Sequence, residues 1–353
     1  MYPPRAVFTI LALVIPSVLG QSSPQNIAAA YSLTVSTTLP FPTSTLAAPD
    51  SGDFVVTNWN LNKNKIQNQP DDLAFVADPF PTSSLPPATP SANNTGPVLQ
   101  VTYPSGSFGD SNGGAQFYSF FNDSTSPQTM LLSYEVAFDS GFQFVKGGKL
   151  PGLRGGPITN GCEGGSEPNG TDCWSTRMMW RSAGAGEVYA YILDSNKLCD
   201  QSNIICDSDF GTSISRGSFS FAAGEWNRIS MLVQLNNPGD VANGNVLLYY
   251  NDIQAIQQGN LQMRSSTNVF AGGLFFSTFF GGDDSTWASP TTQHSFFRNF
   301  QLWLSDRPSN STGSQVSSAA SLHGAYGAGA RWLGLWPIGA GCVTAVTLAY
   351  GVL

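Results

Sequence analysis

The chain has 353 residues, only 11% of them charged, and a formal net charge of -8 at pH 7. That length suffices for one β domain with a full core, while sparse charge and abundant Gly, Pro, Ser and Asn argue against a helical protein. The acidic balance argues against nucleic acid as a partner.

Residues 1–20 read as a signal peptide: Arg5 gives a short basic start, Val7–Leu19 an apolar core, and Val18-Leu19-Gly20 a small-residue cleavage site. Residues 21–50 are rich in Ser, Thr, Pro and Ala, which predicts a flexible lead with one strand at Tyr31–Val35. The folded domain is expected over 51–306, with first strands at Phe54–Trp59 and Leu73–Val76. Pro79–Pro97 reads as a surface loop. Asn93, Asn122, Asn169 and Asn310 each begin an Asn-x-Ser/Thr acceptor for N-glycosylation. Strands follow at Val98–Tyr103, Ala115–Phe121 and Thr129–Phe138. In the last, Met130, Leu132, Tyr134 and Val136 alternate toward the core.

Gly147–Gly156 gathers glycines and a proline around Lys149, which describes a constrained loop or strand end where backbone approaches something closely. It lacks the spacing of a phosphate loop. Two alternating runs follow, Cys173–Arg181 and Glu187–Leu193, joined by a Gly-bearing connection that predicts a β-hairpin. Ser175, Arg177, Met179 and Arg181 share one face with Glu187, Tyr189 and Tyr191. Pairing Arg181 with Glu187 would set Arg177 opposite Tyr191. Such a face is either a ligand site or a solvated surface with a cross-strand cation–π pair.

Further strands are expected at Phe219–Phe221, Trp226–Leu235, Gly244–Tyr250 and Phe296–Leu304, the texture of a two-sheet sandwich. The aromatics of Leu274–Gly282 are expected to fill the core, and Asp283–Trp287 to form a groove rim. His294 reads as structural rather than as a base. Residues 307–331 form a Ser/Thr/Gly-rich linker with a glycosylphosphatidylinositol attachment site near Ser317–Ser321, and 332–353 the apolar tail replaced by that anchor. A transmembrane helix is the rival reading of the tail, weakened by Pro337 and the absence of a basic flank.

Of five cysteines, Cys342 lies in that tail. The other four allow three disulfide connectivities, of which Cys162–Cys173 and Cys199–Cys206 each close a small polar loop and are favoured. Without a Cys-x-x-Cys pair, no metal site is expected.

In order, the Gly-Gly-Lys-Leu-Pro-Gly run, a Cys-flanked loop, Trp-Ser-x-Arg-Met-Met-Trp-Arg and Tyr-x-Tyr resemble polysaccharide lyase family 14, which has many secreted fungal members. The similarity extends over about Phe54–Leu304, strongest at 147–193, with a second stretch at Leu274–Gly282. It implies an all-β jelly-roll sandwich of two antiparallel sheets with a concave substrate groove. It also implies a secreted enzyme that cleaves a 1,4-linked polyuronate such as glucuronan or alginate by β-elimination, without a cofactor. By correspondence the catalytic set is Lys149, Ser175, Arg177, Tyr189 and Tyr191. Arg177, Lys149 and Arg181 are expected to bind substrate. Arg154 departs from the family, which would place an aromatic residue there.

A polyuronate lyase removes the C5 proton beside a carboxylate and expels the 4-linked oxygen. Arg177 suits neutralisation of that carboxylate, Lys149 or Tyr189 the base, and Tyr191 the acid. The chain is expected to act as a monomer on an acidic polysaccharide, at the outer leaflet through its lipid anchor. A lectin-like wall protein that binds acidic glycans without cleaving them is the alternative. A glycoside hydrolase would require two facing carboxylates, and this face offers only Glu187.

Overall fold

The alternating runs fold into two antiparallel sheets stacked face to face, in a computed structural model that describes residues 22–81, 96–110, 112–121, 126–157, 162–207 and 209–316. Helix α1 (Pro24–Ala30), strand β1 (Val35–Thr38) and helix α2 (Ala48–Asn58) open the chain. Strands β2 (Leu73–Val76), β3 (Val98–Tyr103), β4 (Ala115–Phe120), β5 (Thr129–Phe138), β6 (Gly147–Gly155), β7 (Trp174–Arg181) and β8 (Gly186–Tyr191) follow. Then come β9 (Ile204–Ile205), β10 (Thr212–Ile214), β11 (Trp226–Gln234), β12 (Val241–Ala242), β13 (Gly244–Tyr250), β14 (Ile253–Leu261), β15 (Ala271–Phe280), β16 (Gln293–Ser305) and β17 (Ser314–Gln315).

One sheet has the order β14-β13-β11-β5-β16-β3-β2, with β1 added against β16. The other has the order β4-β15-β6-β7-β8-β10-β9, so the two predicted hairpin strands lie near its middle. This is the jelly-roll sandwich expected.

Between the sheets, Met130, Leu132, Tyr134 and Val136 of β5 share one core with Leu153, Trp174, Met178, Trp180 and Phe276 of the facing layer. Fully burying each such aliphatic or aromatic side chain stabilises the fold by about 1.5–3 kcal/mol relative to exposure. The Tyr134 hydroxyl crosses the layer to donate to the Pro151 carbonyl at 3.0 Å. That bond fixes β6 against β5 at the place where β6 departs from regular pairing.

Several sequence expectations are corrected. Phe54–Trp59 forms the end of helix α2, with Trp59 as its C-cap: Ser51, Gly52, Val55 and Trp59 are buried at helical spacing and a proline opens the first turn, which outweighs the strand preference of Phe-Val-Val. Trp59 then packs edge-on against Phe117. The lead from residue 22 to 50 is structured, not a loose segment. Ser23 caps α1 by accepting from the Asn26 N–H, and Ile27, Ala28 and Leu33 cluster with Leu131, Leu232 and Leu247 on the outer face of the larger sheet. The strand expected at Tyr31–Val35 lies further on, as β1. Phe219 and Phe221 are buried, but their backbone makes only a bridge at Ser220. Both favoured disulfides, Cys162–Cys173 and Cys199–Cys206, are formed. The expected signal peptide at residues 1–20, Asn93, Asn122 and the C-terminal tail lie outside the described residues, whereas Asn169 and Asn310 are exposed.

Candidate active site

Gly147–Gly155 forms a strand, not the constrained loop that so many glycines also allow, and the glycines have a packing reason. A Cβ on Gly148 would stand 2.0 Å from the Trp180 ring, and one on Gly152 would stand 2.0 Å from the Thr176 carbonyl oxygen and 2.5 Å from the Arg177 Cα. Pairing between β6 and β7 shifts register between Leu150 and Leu153. β6 therefore presents no side chain at Gly152, and Arg177 lies over that gap toward β15. Its guanidinium sits 4.4 Å from the Phe275 ring, and its Nη1 donates to the Ser277 hydroxyl at 3.1 Å.

The hairpin register differs from the expected one by two residues: Arg177 pairs with Tyr189, and Ser175 with Tyr191. A two-residue shift keeps every side chain on its face, so the shared face survives. The cause is the turn. Ala183 and Gly184 adopt positive φ, and the Arg181 N–H donates to the Ala185 carbonyl at 2.7 Å, closing the loop before Gly186.

Rows of side chains cross the outer face of the smaller sheet. Phe279, Lys149, Met179 and Glu187 occupy one row, Arg177, Tyr189 and Ser213 the next, and Arg154, Ser175 and Tyr191 a third. Above them opens a cavity of about 570 Å³ lined by Lys149, Arg177, Arg181, Tyr189 and Tyr191 among others. Four of the five expected catalytic residues thus converge there.

Ser175 is the fifth and does not line the cavity. It is fully buried, and its hydroxyl donates to the Cys162 carbonyl at 2.7 Å, so it pins the disulfide loop instead. Arg154 is also buried outside the cavity lining, with its guanidinium 4.9 Å from the Tyr118 ring. His294 lies on the other sheet, its Nδ1 2.9 Å from Asp139 Oδ2. Asp283 and Trp287 border the cavity, as a rim would. The Leu274–Gly282 side chains divide by alternation: Leu274, Phe276 and Phe280 are in the core, whereas Phe275 lies against Arg177 and Phe279 lines the cavity.

Lys149 is half-buried, with Nζ 3.4 Å from the Tyr189 ring centroid and 2.9 Å from Met179 Sδ. Loss of hydration, with Arg177 and Arg181 nearby, holds its ammonium well below the usual lysine range. Tyr189 moves the opposite way: burial, reinforced by Tyr191, raises its phenol above the usual value. Its hydroxyl accepts the Gly211 N–H at 2.8 Å, and that of Tyr191 accepts the Gly165 N–H at 3.1 Å. Each phenol therefore keeps its own O–H available for donation into the cavity.

Arg177 is 2% exposed, and its Nε meets no hydrogen-bond partner among the described residues. A buried guanidinium left partly unsatisfied is suited to an anion that completes it. Sequence reasoning missed the residues that hold it: Ser277 donates onward to Gln116 Oε1 at 3.1 Å, and Gln116 also lines the cavity. Neither lies in the strongest motif. The polar Ser277 within an aromatic run was the one available signal.

Fold and site together define a two-sheet β-sandwich with a cavity lined by cationic and tyrosine side chains on the outer face of one sheet. The profile of the family described as polysaccharide lyase 14 matches residues 91–300. The structure resembles a marine PL-14 alginate lyase from Aplysia kurodai at 30% identity and a TM-score of 0.60, covering 75% of this chain and 100% of that one. An alginate lyase from Chlorella virus is similar in fold at 21% identity and a TM-score of 0.55, covering 76% and 99%. So is a variant of alginate lyase Aly36B in complex with alginate trisaccharide, at 16% identity and a TM-score of 0.54, covering 76% and 98%. No curated protein sequence matches the chain. The chain belongs to polysaccharide lyase family 14.

Proposed function

We propose that this polysaccharide lyase cleaves a 1,4-linked polyuronate, of the glucuronan or alginate type, by β-elimination. The observation that carries the reading is the pair of opposite shifts at one cavity, a lysine held below its usual range 3.4 Å from the ring of a tyrosine held above its own. Unperturbed, the two groups titrate near each other, at about 10.4 and about 10. These environments leave Lys149 the group that readily exists without its proton and Tyr189 the group that keeps one.

Arg177 takes the uronate carboxylate, offsetting its charge and that of the enolate-like species that follows. Lys149, as the free amine, removes the C5 proton. Tyr191 donates to the departing 4-linked oxygen, and Tyr189 keeps its proton and hydrogen-bonds the same sugar. The electron pair of the C5–H bond becomes the C4–C5 double bond as the C4–O bond breaks. Tyr189 as base, which the sequence left open, fits poorly with its raised pKa.

Further support comes from the relative at 30% identity, an alginate lyase. The two disulfides fit an oxidising compartment, and we propose secretion directed by residues 1–20 with anchoring through the C-terminal tail. Incubation with glucuronan, polymannuronate and polyguluronate, followed by ultraviolet absorbance of the new double bond, tests the activity. Product on at least one is expected. Binding without product would instead establish the lectin-like alternative.

A further inference from the structure

Beside the proposed catalytic residues stands a charge cluster with no part in the elimination. Glu187 is fully buried, and two arginines share its carboxylate. Arg181 meets Oε1 with Nε at 2.8 Å and Nη2 at 2.6 Å. Arg216, in the chain just after β10, meets Oε2 with Nε at 2.7 Å, and the Ser213 hydroxyl donates to the same oxygen at 2.6 Å. One negative charge against two positive ones leaves a positive charge over. Both arginines line the cavity, and their side chains are 15% and 38% exposed. Among the described residues, Arg181 Nη1 and both terminal nitrogens of Arg216 donate no hydrogen bond. Asp110, Glu163, Asp207 and Asp283 border the same cavity, but none pairs with either guanidinium.

The spacing gives this surplus a purpose. Arg177 and Arg181 start about 13 Å apart on one face of β7, and their guanidiniums turn to opposite sides, Arg177 to Phe275 and Ser277 of β15 and Arg181 to Glu187 of β8. A carboxylate held by charge-assisted bonds of about 2.8 Å cannot bridge that span. A second anionic group on the same polymer can. A single buried carboxylate that holds two guanidiniums also removes most of the entropy cost of ordering them before substrate arrives.

Resting on the polyuronate reading above, we propose that Arg181 and Arg216, splayed on Glu187, form a second carboxylate-binding subsite for a uronate further along the same chain. Substrate selection then requires charged sugars on both sides of a span, and an isolated uronate among neutral sugars is a poor substrate. Arg216 contacts substrate, and Glu187 is a positioning residue.

The test titrates wild type, Arg216→Ala and Arg216→Lys with hexameric oligoglucuronate and oligomannuronate, and with the same hexamers after reduction of their carboxyl groups to alcohols. Binding is read by calorimetry and product by absorbance. Arg216→Ala is expected to weaken binding of at least one charged hexamer about tenfold, the loss of one charge-assisted contact, and to leave the reduced hexamers unchanged. Arg216→Lys should recover part of the loss, because it restores the charge without the planar fork. If wild type binds a charged hexamer without forming product and Arg216→Ala still weakens that binding, elimination is wrong and the subsite stands. Equal affinity of wild type and Arg216→Ala for the charged hexamers overturns the subsite. Failure of wild type to bind either hexamer overturns it as well.

Discussion

Lys149 carries opposite demands at the scale of a single residue. Desolvation makes its amine less basic than a free lysine, so that it gives up its proton more readily, and the same desolvation is a cost to the folded state. The sign of the linkage follows. Between its lowered folded pKa and about 10.4, the unfolded chain holds a proton that the folded chain lacks, so this contribution to stability rises with pH across that window. Below the folded pKa the penalty is complete. Lys149→Met is therefore expected to raise Tm by a few degrees near neutral pH while removing activity, with the gain shrinking as pH approaches the ordinary lysine value. Thermal unfolding at several pH values checks it; a variant less stable than wild type throughout would refute it. Because the free amine is the active form, kcat/KM should rise with pH through the lowered Lys149 pKa, and level off before an ordinary lysine would titrate. A pH–rate profile without that rising limb would contradict the role given to Lys149.

At the scale of elements, the decisive feature is the interruption in β6. Gly152 leaves the space over which Arg177 reaches Ser277, and a methyl group there would press on the Thr176 carbonyl and the Arg177 Cα, both backbone. Gly152→Ala should cost about 1–3 kcal/mol or more in stability, measured by denaturant unfolding, and should lower activity in the surviving folded fraction. Gly96→Ala, where an added Cβ meets nothing within 4 Å, is the matched control and should change neither.

Much of this element was legible beforehand. Alternation alone put Arg177, Tyr189 and Tyr191 on one face, and the structure has them there, with the intervening Trp174, Met178 and Trp180 in the core. The register was not legible, because it depends on where the turn at Ala183 and Gly184 closes, and glycine-bearing loops permit more than one closure. The burial of Ser175 was not legible for a different reason. Its face was right, but a neighbouring disulfide loop covers it and takes its hydroxyl, a long-range contact that strand periodicity does not encode. Gln116, Ser277 and Arg216 come to the cavity from strands and loops distant in sequence, and only the sheet order β4-β15-β6-β7-β8-β10 brings them together.

Over the whole molecule, an acidic protein takes an acidic polymer as its proposed substrate. The net charge is -8, and Asp110, Glu163, Asp207 and Asp283 border the same cavity as Lys149, Arg177, Arg181 and Arg216, though none of these acids pairs with Arg181 or Arg216. Attraction is therefore local and works against a repulsive surround, a combination that salt affects in both directions. Raising ionic strength from about 0.05 M to about 0.5 M shortens the screening length severalfold and first weakens the long-range repulsion, since exposed charges are screened more than buried ones. KM for a long polyuronate is expected to fall or hold at moderate salt and to rise only at the high end. A steep rise from the lowest salt onward would show that attraction dominates at long range, contrary to this charge distribution.

The most direct measurement is the rate of double-bond formation by wild type, Lys149→Ala and Arg177→Ala on whichever polyuronate wild type cleaves, with folding of each variant checked by circular dichroism. A loss of at least about a hundredfold is expected in both variants, since one lacks the base and the other the group that neutralises the carboxylate. A folded Lys149→Ala or Arg177→Ala protein that forms the double bond at close to the wild-type rate would contradict the assignment.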